Sequence, residues 1–63
     1  MDIKITSLIN NQVVPLHFFH RGLTQAFTNE KEAELFAKEN RSYYYPALCV
    51  EGKNEEIIYC VPK

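Results

Sequence analysis

Only one stretch of this chain repeats its apolar residues at helical spacing, and that stretch is short. Ala33, Phe36 and Ala37 recur as a single stripe with Leu35 on its shoulder, the pattern of an amphipathic helix. Asn29 or Thr28 stands before it as the N-cap. With Asn29 as the cap, Glu32 falls at the reciprocal position of a capping box. Glu30 and Glu32 lie in the first turn, where the helix dipole favours negative charge. Glu34 and Lys38 are four apart in the favourable order, and Asn40 is placed to supply a left-handed closing residue. The spacing predicts a helix over 29–40. Such a helix is roughly 18 Å long and can cover one face of a small sheet, not both.

The remainder alternates. Residues 2–9 and 12–20 read as a strand pair around Asn10-Asn11, since Asn tolerates the positive φ of a tight hairpin turn. That register sets Ile9 opposite Gln12, Ser7 opposite Val14, Ile5 opposite Leu16 and Ile3 opposite Phe18. One side then carries Ile3, Ile5, Val14, Leu16 and Phe18, and the other is mixed, as a half-buried hairpin requires. Pro15 cannot donate to a ladder, so the second strand is expected to be an edge or to bulge there. Residues 21–28 read as a connector, with Gly22 in a turn and Leu23 and Phe27 as anchors.

Residues 42–50 and 55–61 form a second pair. Glu51-Gly52-Lys53-Asn54 is the turn, and a Gly-Lys loop with glycine first suits type II′. Leu48 then faces Ile57, Ala47 faces Ile58, Pro46 faces Tyr59 and Tyr45 faces Cys60. Tyr44, Pro46, Leu48, Val50, Ile57, Tyr59 and Val61 share one side, the better core. Tyr43, Tyr45, Ala47, Cys49, Glu56, Ile58 and Cys60 share the other, which is also largely apolar. The fold class that follows is α+β: a small single-layer antiparallel four-stranded sheet with one helix packed on one face, in the order ββαββ. With 63 residues the chain is one small domain, 1–63. With one helix available, the tyrosine-bearing side is expected to lie open to a partner.

Composition excludes more than it identifies. Seven basic residues against eight acidic give a net charge of −1, which leaves no electrostatic footprint for duplex DNA or an anionic membrane. The opening Met1-Asp2-Ile3-Lys4 carries no basic segment followed by an apolar run, so no secretory signal is expected and a cytoplasmic location is. No apolar run approaches the ~20 residues of a membrane span.

Two cysteines and two histidines raise chemical possibilities that spacing argues against. Cys60 faces Tyr45, four residues from Cys49, so the thiols are roughly 13 Å apart along the strand. A disulfide needs Cα atoms within about 7 Å, so free thiols are expected. Zinc sites bring ligands in close pairs such as C-x₂-C; here the cysteines are widely spaced, and His17 and His20 would point to opposite sides of a strand. No metal or other cofactor is expected. A Cys–His nucleophile needs an electropositive pocket, Glu55 and Glu56 face opposite sides, and Gly22 and Gly52 are isolated rather than part of a phosphate loop. No catalytic residue is assigned, and the chain is expected not to be an enzyme.

Two binding readings remain. Tyr43, Tyr44 and Tyr45 resemble the aromatic platforms on which single-stranded bases stack, with Lys4, His17, Arg21 and Arg41 as a backbone track. The net charge opposes it. Protein binding fits better, because tyrosine buries much area with few rotors and exposed apolar patches mark partners. The expected contact residues are Tyr43, Tyr45 and Ile58, with Phe19 and His17 from the first pair. An acidic rim of Glu51, Glu55 and Glu56 would steer a basic partner. Self-association through the same surface, giving a homodimer, is the alternative. The expected function is therefore a non-catalytic protein-binding module, a small inhibitor or adaptor of the kind phage and mobile-element genomes carry, acting by occluding a partner's surface.

Overall fold

A computed structural model describes residues 2–63. Six elements follow one another: β1 (Ile3–Ser7), α1 (Leu16–His20), β2 (Thr24–Phe27), α2 (Glu30–Glu39), β3 (Tyr45–Glu51) and β4 (Asn54–Pro62). The strands form one antiparallel sheet in the order β1-β3-β4-β2. The α+β class, the four-stranded antiparallel sheet and the 29–40 helix match the expectation from sequence. The order of elements does not, because a second helix and a different fourth strand replace half of the expected first hairpin.

The β3–β4 hairpin has the expected register, with Leu48 opposite Ile57, Ala47 opposite Ile58 and Tyr45 opposite Cys60. Glu51 faces Asn54 across the two-residue Gly52-Lys53 loop, and Gly52 takes φ +61. Both thiols are free, with Cys60 buried and Cys49 half-buried. Helix α2 starts at the expected Asn29 cap, although among the described residues Glu32 does not return the bond of a capping box. The Asn29 side chain accepts from the amides of Lys31 and Glu32 at 2.9 and 3.3 Å, and Glu34 pairs with Lys38 at 3.4 Å.

The end of α2 differs by one residue. Asn40 has φ −100, and Arg41 is the left-handed residue at φ 53. The Arg41 amide donates to the Lys38 carbonyl and the Ser42 amide to Ala37. This is a Schellman closure with arginine in the place glycine usually takes. The Ser42 hydroxyl then donates to the Pro62 carbonyl, tying the helix exit to the end of β4.

The 12–20 strand is the main correction. Only Val13 bridges β1, opposite Thr6, with the Ser7 amide on the Gln12 carbonyl at 2.8 Å and the Val14 amide on Ile5 at 2.7 Å. The pairing is offset from the one expected, and the chain between is a wider loop. In it the Asn10 side chain accepts from the Gln12 amide, and Asn11 takes φ 58. Pro15, which has no amide to give a ladder, ends the extended run at φ −60, ψ 130, and α1 begins at the next residue. Gly22 closes α1 at φ +74, letting the Leu23 amide reach the Phe18 carbonyl at 2.8 Å and its own amide reach Phe19 at 3.2 Å. The expected connector then contains β2, which pairs with β4 from Thr24–Pro62 to Phe27–Tyr59.

These changes reverse the expected exposure of the sheet. The chain from Val14 to Phe19 crosses the face said to be open. Ile5, Val14, Ala47, Ile58 and Cys60 form a buried core there, with Phe18, Phe19, Tyr45 and Cys49 packed against it. On the opposite face α2 lays Ala33 and Ala37 on Val61, flanked by Phe27, Tyr44 and Tyr59. Alanine on the helix permits this close approach. Yet α2 packs over β4 and β2 and leaves the β1–β3 half of that face bare. Ile57, on β4 opposite Leu48, is 44% exposed, and Leu35 on the helix flank 61%.

Candidate functional site

The site begins at the loop that joins β1 to α1. Because Pro15 turns the chain inward, Ile9 and Val13 stay on the outside while Val14 enters the core. The loop folds toward the start of β3, where the Leu8 amide bonds the Pro46 carbonyl at 3.0 Å. Between loop and sheet lies a cleft of about 290 Å³. Ile9, Val13 and Pro15 form one wall, Tyr43 and Tyr45 another, and Phe18, Thr24 and Pro62 lie beyond. Asn10 and Gln12 supply amides at its rim, and Ser7 lies within it. No acid, lysine, arginine or histidine lines it among the described residues.

The two tyrosines divide the work. Tyr43 is 62% exposed, and its ring lies 6.2 Å from that of Tyr45 at an interplanar angle of 35°. Tyr45 is half-buried against the first core. Burial, then the adjacent Cys60 and Tyr43, pushes its hydroxyl up to about 12. It is therefore a neutral donor and acceptor at any physiological pH. Cys60 is pushed up to about 11, chiefly by burial and further by Cys49, while Tyr45 opposes the shift. A thiol held protonated in this way is a poor nucleophile.

The remaining expected contact residues scatter. Ile58 is 7% exposed and belongs to the core, so it cannot meet a partner. Phe19 packs against the same core. His17 is exposed on α1, with its ring edge-on to Phe18 at 4.7 Å and 77°. His17 and His20 lie one turn apart on a helix, on one side of it, not on opposite sides of a strand. Among the described residues no group of three or more His, Cys, Asp or Glu is placed to hold a metal ion.

Glu51, Glu55 and Glu56 gather at the hairpin end of β3 and β4, where Val50 faces Glu55 and Cys49 faces Glu56. Tyr45 begins the same strand six residues before Glu51, which is roughly 20 Å away. The acidic rim and the tyrosines are therefore separate surfaces. Glu55 also faces the α2 side, whereas Glu51 and Glu56 face the α1 side.

Tyr44, the middle tyrosine, belongs to the other face. Its hydroxyl meets Glu30 Oε2 at 3.3 Å, and its ring lies edge-on to Tyr59 at 6.3 Å. Burial, followed by the negative charges of Glu30 and Glu34, raises its pKa.

Ile9, Gln12 and Thr24 were not expected at a site. The one sequence signal for the first two was an Asn10-Asn11 loop flanked by apolar residues on both sides. Thr24 had none, because its strand was not legible. Among the described residues no helix is long and apolar enough to cross a membrane. No family model, no curated protein and no solved structure matches this chain.

Proposed function

We propose that this protein is a non-catalytic binding module that occludes a partner protein through the cleft face. One observation carries the reading: an uncharged cleft walled by an exposed tyrosine, Ile9 and Val13. An open apolar surface of this kind costs solubility unless something covers it. Neighbouring tyrosines, their rings tilted 35° to one another, offer rigid, amphipathic area of the sort found at the centres of interfaces. The same lining disfavours single-stranded nucleic acid, which needs cations along the phosphate path as well as rings to stack on.

The test is comparative capture and reconstitution. Wild-type chain and Tyr43→Ser/Val13→Ser are used as baits, and each captured protein is purified and rebound in isolation. The expected result is a stoichiometric complex with the wild type, weakened at least tenfold by the double substitution with the melting temperature unchanged. Equal binding by both baits would move the interface elsewhere. Steeply salt-dependent binding of an oligonucleotide would replace the reading with the nucleic-acid one. A protein that sediments as a dimer at micromolar concentration, and as a monomer after the double substitution, would make a second copy the partner.

A further inference from the structure

Resting on the protein-binding reading, we infer that the cleft receives an uncharged, proline-containing segment in the extended polyproline II conformation. The argument starts from Thr24. It is only 5% exposed, and it shares the sheet face of Tyr45, because Thr24 pairs with Pro62 and Tyr45 with Cys60. Its hydroxyl makes no hydrogen bond to another described residue. No wholly enclosed side-chain oxygen or nitrogen lacks a partner among those residues. The unpaired Thr24 oxygen therefore touches open space, and the space beside it is the cleft. A hydroxyl on a buried residue that opens onto the cleft without a protein partner is free to bond a ligand there.

The other groups restrict what can meet it. With no charge in the lining, an acidic or basic side chain would lose its water and find no counterion. The cleft, about 290 Å³, has room for side chains of a peptide lying across it. A polyproline II segment makes no internal hydrogen bonds and leaves its carbonyls free. Thr24 and the Gln12 side-chain amide are donors for those carbonyls, while Tyr45, whose hydroxyl is engaged with Cys60, supplies its ring. Proline rings pack on aromatic faces, and Tyr43 against Tyr45 presents such faces with Phe18 behind them. A preformed extended segment also loses little entropy on docking, which suits a shallow site.

The probe is a blocked oligoproline peptide, titrated into the full chain and followed by backbone amide chemical shifts. Comparators are a blocked Gly/Ser peptide of equal length and oligoproline interleaved with glutamate. Saturable shifts at Val13, Thr24, Tyr43 and Tyr45 with oligoproline alone are expected. Tyr43→Ala should weaken them about tenfold, and Thr24→Val, which keeps the shape and removes the hydroxyl, about fivefold. Absence of saturable shifts overturns the inference, as does equal binding of the Gly/Ser or glutamate peptide. If oligoproline fails while Tyr43→Ser/Val13→Ser still abolishes partner capture, the ligand class is wrong and the binding module stands. If neither responds, both fail.

Discussion

Tyr43 and Tyr45 stand two residues apart, with ring centroids 6.2 Å apart and planes inclined by 35°. One ring is open to solvent and the other is seated against the core. Their substitutions should separate recognition from stability. Tyr43→Ala is expected to stay within about 0.5 kcal/mol of wild type in denaturant unfolding. Tyr45→Ala should cost about 2 kcal/mol, because half-buried aromatic area is lost. Equal losses at the two positions would mean that Tyr43 is a core residue.

Ile58 now belongs to folding. Ile58→Ala removes a buried side chain flanked by Val14, Ala47 and Cys60 and should cost about 3 kcal/mol. In a domain this small that is a large part of the total stability. Thermal denaturation should show a fall of many degrees; an unchanged midpoint would place Ile58 on the surface.

Arg41 offers a gain. A non-glycine residue in the left-handed region costs about 1 kcal/mol. At φ 53, Arg41→Gly should raise stability by roughly 0.5 kcal/mol, part of the benefit being returned through the looser unfolded chain. A lowered melting temperature would show that the arginine side chain makes a contact worth more than the strain.

Cys60 predicts the response to alkali. Its pKa is raised from 9.0 to about 11, so the folded chain holds the thiol proton more tightly than the unfolded one. That contribution is full below pH 9 and is lost as pH climbs from 9 through 11, an amount on the order of 2 kcal/mol. Tyr45 shifts in the same direction, from 10.0 to about 12, and extends the decline upward. Unfolding free energy measured across this window should fall, and Cys60→Ala should fall less steeply. A flat wild-type profile would contradict the buried thiol.

Legibility varied with how many independent signals agreed. α2 was readable because Asn29, the alanine stripe and Glu34–Lys38 all point to one segment. The β3–β4 register was readable because Gly52-Lys53 and the Leu48–Ile57 pairing impose the same sum. Residues 12–20 carried a conflict. Val14, Leu16 and Phe18 fit a strand period, while Leu16 and Phe19, three apart, equally fit one helical turn after Pro15. Gly22, expected in a turn of the connector, is the residue that closes the helix. β2 is four residues long with a single aromatic, too short for alternation to register. Missing both left one sheet face apparently bare. That removed Ile58 and Phe19 from the core and kept Thr24 from being seen at the site.

The position of β4 bears on how the domain assembles during synthesis. It comes sixth of the six elements in chain order, yet it lies between β3 and β2 and gives Ile58 and Cys60 to one core and Val61 to the other. Until β4 has left the ribosome, β2 has no strand to pair with and α2 has no Val61 to pack on, so completion of both cores is expected to wait for it. A ribosome stalled just short of β4 would display a protease-sensitive chain, and one stalled well beyond it a resistant one.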